Sequence, residues 1–114
     1  MEVDVGDVVL CKFYFSDFQE YKNRPVLVFK DNLPFDDFVA IPISSKIERL
    51  YFDEHIINSS DFSIGNLVVD SKLMLRKTFV VSKKSILKKY GKLSENSFKK
   101  VYKLFCEYFA CKNI

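Results

Sequence analysis

The chain has no Trp, one His, three Gly, three Pro and three Cys among its 114 residues, and each shortage excludes something. Gly6, Gly65 and Gly91 lie far apart, so no Gly-rich phosphate cradle is available; neither a P-loop nor a GxGxxG fingerprint occurs. HExxH and calcium-loop patterns are also missing. The single His, His55, stands in a charged Asp53-Glu54-His55 stretch and reads as a surface residue rather than a general base. Any Ser-His-Asp site would have to use it. Cys11, Cys106 and Cys111 are odd in number and form no CxxC or zinc spacing. They read as small hydrophobes in a reducing compartment, Cys11 on a buried strand and Cys106 on a helix. No apolar run approaches a membrane span, and the opening MEVDVGDVV is acidic where a secretory leader is basic. The expectation is a cytoplasmic protein with no membrane partner, no metal and no cofactor.

What is present is a globular composition, 48% apolar and 29% charged. A chain of this length can bury roughly two-thirds of its unfolded surface and holds a single domain, 1–114. The net charge of +3 conceals a split. Residues 1–70 carry 6 Lys/Arg and 13 Asp/Glu, a net of −7; residues 71–114 carry 12 and 2, a net of +10. Such asymmetry suits a polyanion partner, and equally a Lys-rich solvated helix face. With Lys so abundant, the three Arg (Arg24, Arg49, Arg76) are the more informative cations. A planar fork of donors suits phosphate in a way a point charge does not.

Along the chain, the β-branched and aromatic run 8–15 (VVLCKFYF) predicts a strand, 16–23 a polar loop, and 25–29 (PVLVF) a buried strand. After a turn at 31–34, residues 38–43 predict a third strand, with Pro42 marking an edge or an exit. Residues 44–49 read as a loop, 50–57 as a fourth strand broken by its acidic pair, and 67–69 and 78–81 as two more strands. Short strands at close spacing indicate a small barrel or a strongly bent sheet. The period then changes. Ser82 reads as the N-cap of a helix over 83–90 with Gly91 just past its end, and Ser94 as the cap of a longer helix to about Ala110. On that second helix Phe98, Val101, Tyr102, Phe105, Tyr108 and Phe109 recur at three- and four-residue steps, a stripe suited to packing on the sheet. The fold class is α+β, sheet first and helices last.

Six blocks carry a family resemblance in order. They are Gly6-Asp7-Val8-Val9, then Phe13-Tyr14-Phe15-Ser16-Asp17, then Lys22-Asn23-Arg24-Pro25-Val26-Leu27-Val28. Ile41-Pro42-Ile43-Ser44-Ser45-Lys46, Gly65-Asn66-Leu67-Val68-Val69-Asp70-Ser71 and Tyr90-Gly91-Lys92-Leu93-Ser94 follow. Together, from Gly6 to about Phe109, the chain resembles the MazF/PemK family of toxins from bacterial toxin–antitoxin systems. The resemblance implies a small SH3-like β-barrel of short, mostly antiparallel strands with C-terminal helices, usually a homodimer. It implies a metal-independent endoribonuclease that cuts mRNA at short single-stranded sequences and is blocked by a cognate antitoxin, often through an acidic flexible segment. The family's Arg before Pro at the end of the first loop matches Arg24, and its catalytic Thr matches Ser44.

The chemistry of those two residue types agrees. RNA supplies its own nucleophile, the 2′-OH, so cleavage needs charge stabilisation at phosphorus and a hydrogen-bonding hydroxyl. Arg24 provides bidentate donors and Ser44 the hydroxyl. Apart from the resemblance, Arg24 reads equally as a strand-end surface residue pairing with Asp17 or Glu20. For RNA contacts the candidates are Asp17, Gln19, Glu20 and Lys22 of the first loop, then Ser45, Lys46, Asp70, Lys72 and Lys77. The first-loop residues equally suit an ordinary polar loop, Asp70 equally a strand end, and the lysines equally phosphate contacts or solvation. Ser44 keeps the hydroxyl of Thr but loses the methyl that restricts its rotamer. Val68 stands where some family members carry Arg. Alternatives are a non-catalytic binder on the same fold, acting on a protein such as DNA gyrase, and a relative that binds only antitoxin or RNA.

Overall fold

The computed structural model describes residues 2–15 and 20–111. Eight strands build one curled antiparallel sheet: β1 (Asp7–Phe15), β2 (Glu20–Lys30), β3 (Asp37–Ser44), β4 (Glu54–Ile57), β5 (Phe62–Gly65), β6 (Ser71–Met74), β7 (Phe79–Ser82) and β8 (Ile86–Leu93). One helix, α1 (Glu95–Tyr108), follows. The strand order is β4-β6-β3-β2-β1-β8-β5, with β7 also paired to β3.

The unbroken apolar runs of β1 to β3 arise because both faces of this central sheet are covered. Val8, Leu27, Ile41 and Ile43 point to one core, with Leu73, Leu93 and Val101. Val9, Cys11, Val26, Val28, Phe38 and Ala40 point to the other, with Val3. The first core is roofed by α1: Val101 is fully buried, and Phe29 packs on Phe105 with ring centroids 4.3 Å apart. Ser94 caps α1 as expected, its Oγ accepting the Ser97 N–H at 3.2 Å. Asp61 fixes the same end, its carbonyl accepting the Ser94 N–H and its Oδ1 the Ser97 hydroxyl.

Pro42 marks a change of neighbour. Residues 37–40 of β3 pair with β7, and Ile43 and Ser44 pair with β6. Pro42 falls in the gap between the two, where its missing N–H leaves no ladder bond unmade.

Four sequence expectations change. The helix over 83–90 is absent. Ser82 does cap a turn, accepting the Lys84 N–H at 3.1 Å, but that turn is one 3-10 turn over Lys83–Ser85. Residues 86–93 then form β8, because β1 needs a partner on its second edge and tertiary pairing overrides local helix signals. Gly91 does not end a helix: it lies opposite Gly65 where β5 crosses β8, and a Cβ on Gly91 would meet the Ile64 carbonyl oxygen at 2.2 Å. Second, residues 67–69 are not a strand; the flanking segments are, as β5 and β6. Third, the strand expected over 50–57 shrinks to β4, since Tyr51 and Glu54 close a turn, the Glu54 N–H donating to the Tyr51 carbonyl at 3.0 Å. The loop expected over 16–23 also shortens, because β2 already runs from Glu20. Among the described residues no helix is long and apolar enough to cross a membrane.

Candidate active site

β2 and β3 are neighbours whose pairing reaches Val26 opposite Pro42, and just beyond that last pair lie Arg24 of β2 and Ser44 of β3. Arg24 precedes Pro25 where β2 leaves the core, and Ser44 ends β3. Both open onto one cleft of about 480 Å³. Lys22, Asn23 and Pro25 complete its β2 wall, Ile43, Ser45 and Lys46 its β3 wall. Leu67, Val68 and Val69 form the facing rim, and Ser71 and Tyr90 also line the cleft. Among the described residues its charged lining is Lys22, Arg24 and Lys46, with no carboxylate.

The Ser44 hydroxyl is oriented locally. Its Oγ accepts the Lys46 N–H at 3.1 Å, a one-turn motif typical of Ser and Thr. A hydroxyl that accepts there still has its proton to donate. The backbone thus supplies orientation that the missing Thr methyl would otherwise favour.

The candidates divide. Arg24, Ser44, Lys22, Ser45 and Lys46 share the cleft. Asp17 and Gln19 lie outside the described residues, as does the side chain of Glu20, the first residue of β2. Asp70 is exposed just before β6 and is not among the cleft residues; Lys77 is exposed at the end of the Leu75–Lys77 turn and is not among them either. Lys72 is buried in an ion pair: its Nζ donates to Glu54 Oε1 at 2.8 Å and to the Arg49 carbonyl at 2.9 Å. Burial raises the Glu54 carboxyl, but the Lys72 and Tyr51 hydrogen bonds outweigh it and hold the group below the usual carboxylate range.

None of the cations beyond residue 70 lines the cleft. Lys83, Lys89, Lys92 and Lys99 pair instead with Asp31, Asp7, Asp4 and Glu95. The cleft cations therefore come from the acidic front half of the chain.

Sequence reading passed over Asn23, Pro25, Ser71 and Tyr90 as site residues. The sequence predicts a helix at Tyr90; on β8 it is the one aromatic ring among the described cleft residues, with Lys88 Nζ 4.9 Å from its centroid. Leu67-Val68-Val69 predicts a short strand, yet Val68 is 94% exposed at the rim.

His55 lies on β4, in a second depression with Phe52, Asp53 and Tyr108, away from the cleft. Desolvation first, then Lys100, holds its imidazole below the usual range despite Asp61. Burial pushes the Cys11 thiol up, partly offset by a hydrogen bond with Ser85. Among the described residues no group of three or more His, Cys, Asp or Glu is placed to share a metal ion.

A curled antiparallel sheet with a cleft between neighbouring strand ends, lined by Lys22, Arg24, Lys46 and the Ser44 hydroxyl, is the arrangement set beside known proteins. Residues 4–109 match the family described as PemK-like, MazF-like toxin of type II toxin–antitoxin system, and the chain belongs to that family. Its fold is similar to that of an endoribonuclease in complex with its cognate antitoxin from a mycobacterial species. The TM-score is 0.75 at 13% identity, covering 99% of this chain and 100% of that one. It is also similar to the Mycobacterium tuberculosis toxin MazF-mt6, at TM-score 0.69 and 15% identity over 91% and 96% of the two chains. A third similar structure is an endoribonuclease from a mycobacterial species, at TM-score 0.67 and 15% identity over 93% and 89%. No curated protein matches the sequence.

Proposed function

We propose that the chain is an endoribonuclease that cuts single-stranded mRNA by attack of a ribose 2′-OH on the adjacent phosphate, without a metal. The observation that carries this reading is a cleft that brings together Lys22, Arg24, Lys46 and the Ser44 hydroxyl, with no carboxylate among the described residues that line it. A phosphodiester seated there meets Arg24 as the donor to its non-bridging oxygens, where negative charge grows as the 2′-oxygen closes on phosphorus. Ser44, held by Lys46, donates to the same phosphate. Lys22 and Lys46 flank the backbone and position it. The 5′-oxygen leaves, giving a 2′,3′-cyclic phosphate and a 5′-OH end. The endoribonucleases among the similar folds and the family itself support the same reading. So does a cognate antitoxin, whose acidic segment would compete for the same cations. The family resemblance implies that the enzyme works as a homodimer in the cytoplasm.

The test is incubation of the purified protein with a long mRNA in EDTA and mapping of the ends. The expected result is defined cuts with 5′-OH termini that vanish in Arg24→Ala. Intact RNA across varied sequences overturns the reading and leaves a binding module.

A further inference from the structure

The end of α1 carries two cysteines that the cleft chemistry does not use, Cys106 half-buried and Cys111 exposed, both free thiols. The helix closes through Ala110, whose φ is 55°. Around it the Cys111 N–H donates to the Cys106 carbonyl at 2.9 Å and the Ala110 N–H to the Glu107 carbonyl at 3.4 Å. This paired bonding is a Schellman ending, which draws a residue of the last turn against the second residue beyond the cap. An apolar contact commonly joins those two positions; here both are cysteines. Both line one shallow depression beside Tyr102 and Lys103. A disulfide needs Cα atoms roughly 4.4–6.8 Å apart with side chains converging. A backbone hydrogen bond between the same two residues supplies the closeness, and the shared depression puts both side chains on one side of the helix end.

We propose that Cys106 and Cys111 form a thiol–disulfide site that closes to an intrachain bond on meeting a low-molecular-weight disulfide of the glutathione class. The exposed Cys111 attacks first. It gives its proton to solvent, and its sulfur displaces one half of the small disulfide, which leaves as a thiol after taking up a proton. Cys106 then loses its proton and attacks the Cys111 sulfur, displacing the second half as another thiol. Two protein thiols are oxidised by two electrons in all, and one small disulfide is reduced to two thiols. The order follows from exposure and environment. The neighbouring Cys111 thiol, then desolvation, hold the Cys106 thiol above the usual range, so it waits as the resolving partner. Cys11 is fully buried in the second core and takes no part.

The experiment exposes the full folded chain to oxidised glutathione, quenches with acid and digests with trypsin without reductant. Cleavage after Lys103 and Lys112 releases both cysteines on one peptide, LFCEYFACK. The expected product is that peptide lighter by two hydrogens and free of glutathione. Cys106→Ser should instead retain glutathione on Cys111. The proposal is overturned if the wild-type chain holds glutathione on Cys111 as durably as Cys106→Ser does. It is equally overturned if Cys111 crosslinks two chains, or if the peptide stays reduced. The closed loop is short, so little change in melting temperature is expected, and the mass is the readout.

Discussion

Replacing Lys72 by Met separates a lysine that holds the fold from one that reaches substrate. The Lys72 and Glu54 side chains are 8% and 3% exposed and meet at 2.8 Å. Met preserves the apolar stem and removes the ammonium. Glu54 Oε1 is then left with the Tyr51 N–H at 2.9 Å, and the Arg49 carbonyl loses its donor. A charge-assisted hydrogen bond contributes roughly 1.5–3 kcal/mol. Breaking a deeply buried pair costs roughly 3–5 kcal/mol, but this pair lies just beneath the surface, where water screens the orphaned charge. The loss should be about 2 kcal/mol, or about 8 °C in melting midpoint at roughly 4 °C per kcal/mol for a domain of this size. Glu54→Gln should be destabilising for the reciprocal reason. The double variant should recover about 1 kcal/mol of the summed losses, because no uncompensated charge remains. Thermal melts of the four proteins at pH 7 measure this. Binding of a single-stranded RNA over a range of salt completes the assay, and the salt slope should match the parent. A Lys72→Met protein as stable as the parent, with a slope shallower by about one, would refute the structural role and return Lys72 to the phosphates.

Ser44→Ala should slow RNA cleavage about 10²-fold with melting unchanged, and Ser44→Thr should retain activity; equal rates for all three would remove the hydroxyl from the mechanism. Gly91→Ala drives a Cβ into the Ile64 carbonyl and should cost about 3 kcal/mol or more, read as lost soluble yield or a much lower melting point. A parent-like melt would mean that β5 and β8 do not cross as described. Stability should also fall in acid in two stages. Folding depresses the His55 pKa, so the unfolded chain takes up a proton first, and stability declines as pH drops below about 6.5. Glu54 is likewise depressed and adds a second loss below about pH 4.5. His55→Gln should flatten the first stage alone and Glu54→Gln the second, and melts across pH 4–8 would expose any other pattern.

The central strands and α1 are legible because their burial matches their composition. Residues 25–29 are apolar throughout and buried on both faces, and the aromatic stripe of α1 lies over that sheet. Elsewhere burial and hydropathy part company. Val68 and Val69 are exposed at the cleft rim, while Ser71 and Lys72 are buried, and Lys72 manages this only because Glu54 arrives from β4, eighteen residues earlier. Residues 83–90 carry a genuine cap and good helix formers, but β1 has a free edge that only a distant strand fills. No local window contains that demand. The grouping of Arg24 with Ser44 rests on the family resemblance in the sequence, and the structure sets both on one cleft. The charge split was the least informative signal. Lys72, Lys83, Lys89 and Lys92 of the basic half answer N-terminal acids across the fold, and the cleft cations Lys22, Arg24 and Lys46 stand in the half whose net charge is negative.

The pairing of β1 with β8 has a consequence for synthesis. A ribosome makes the chain from its N-terminus, so Arg24 and Ser44 emerge well before Tyr90, and β1 emerges with one of its two edges unsatisfied. Until residues 86–93 arrive, that edge is open to other strands, the Tyr90 side of the cleft is missing, and α1 has not yet covered the first core. The order of synthesis therefore makes the Tyr90 side of the cleft the last of its walls to form, after Arg24, Ser44 and the rim at 67–69 are already in place.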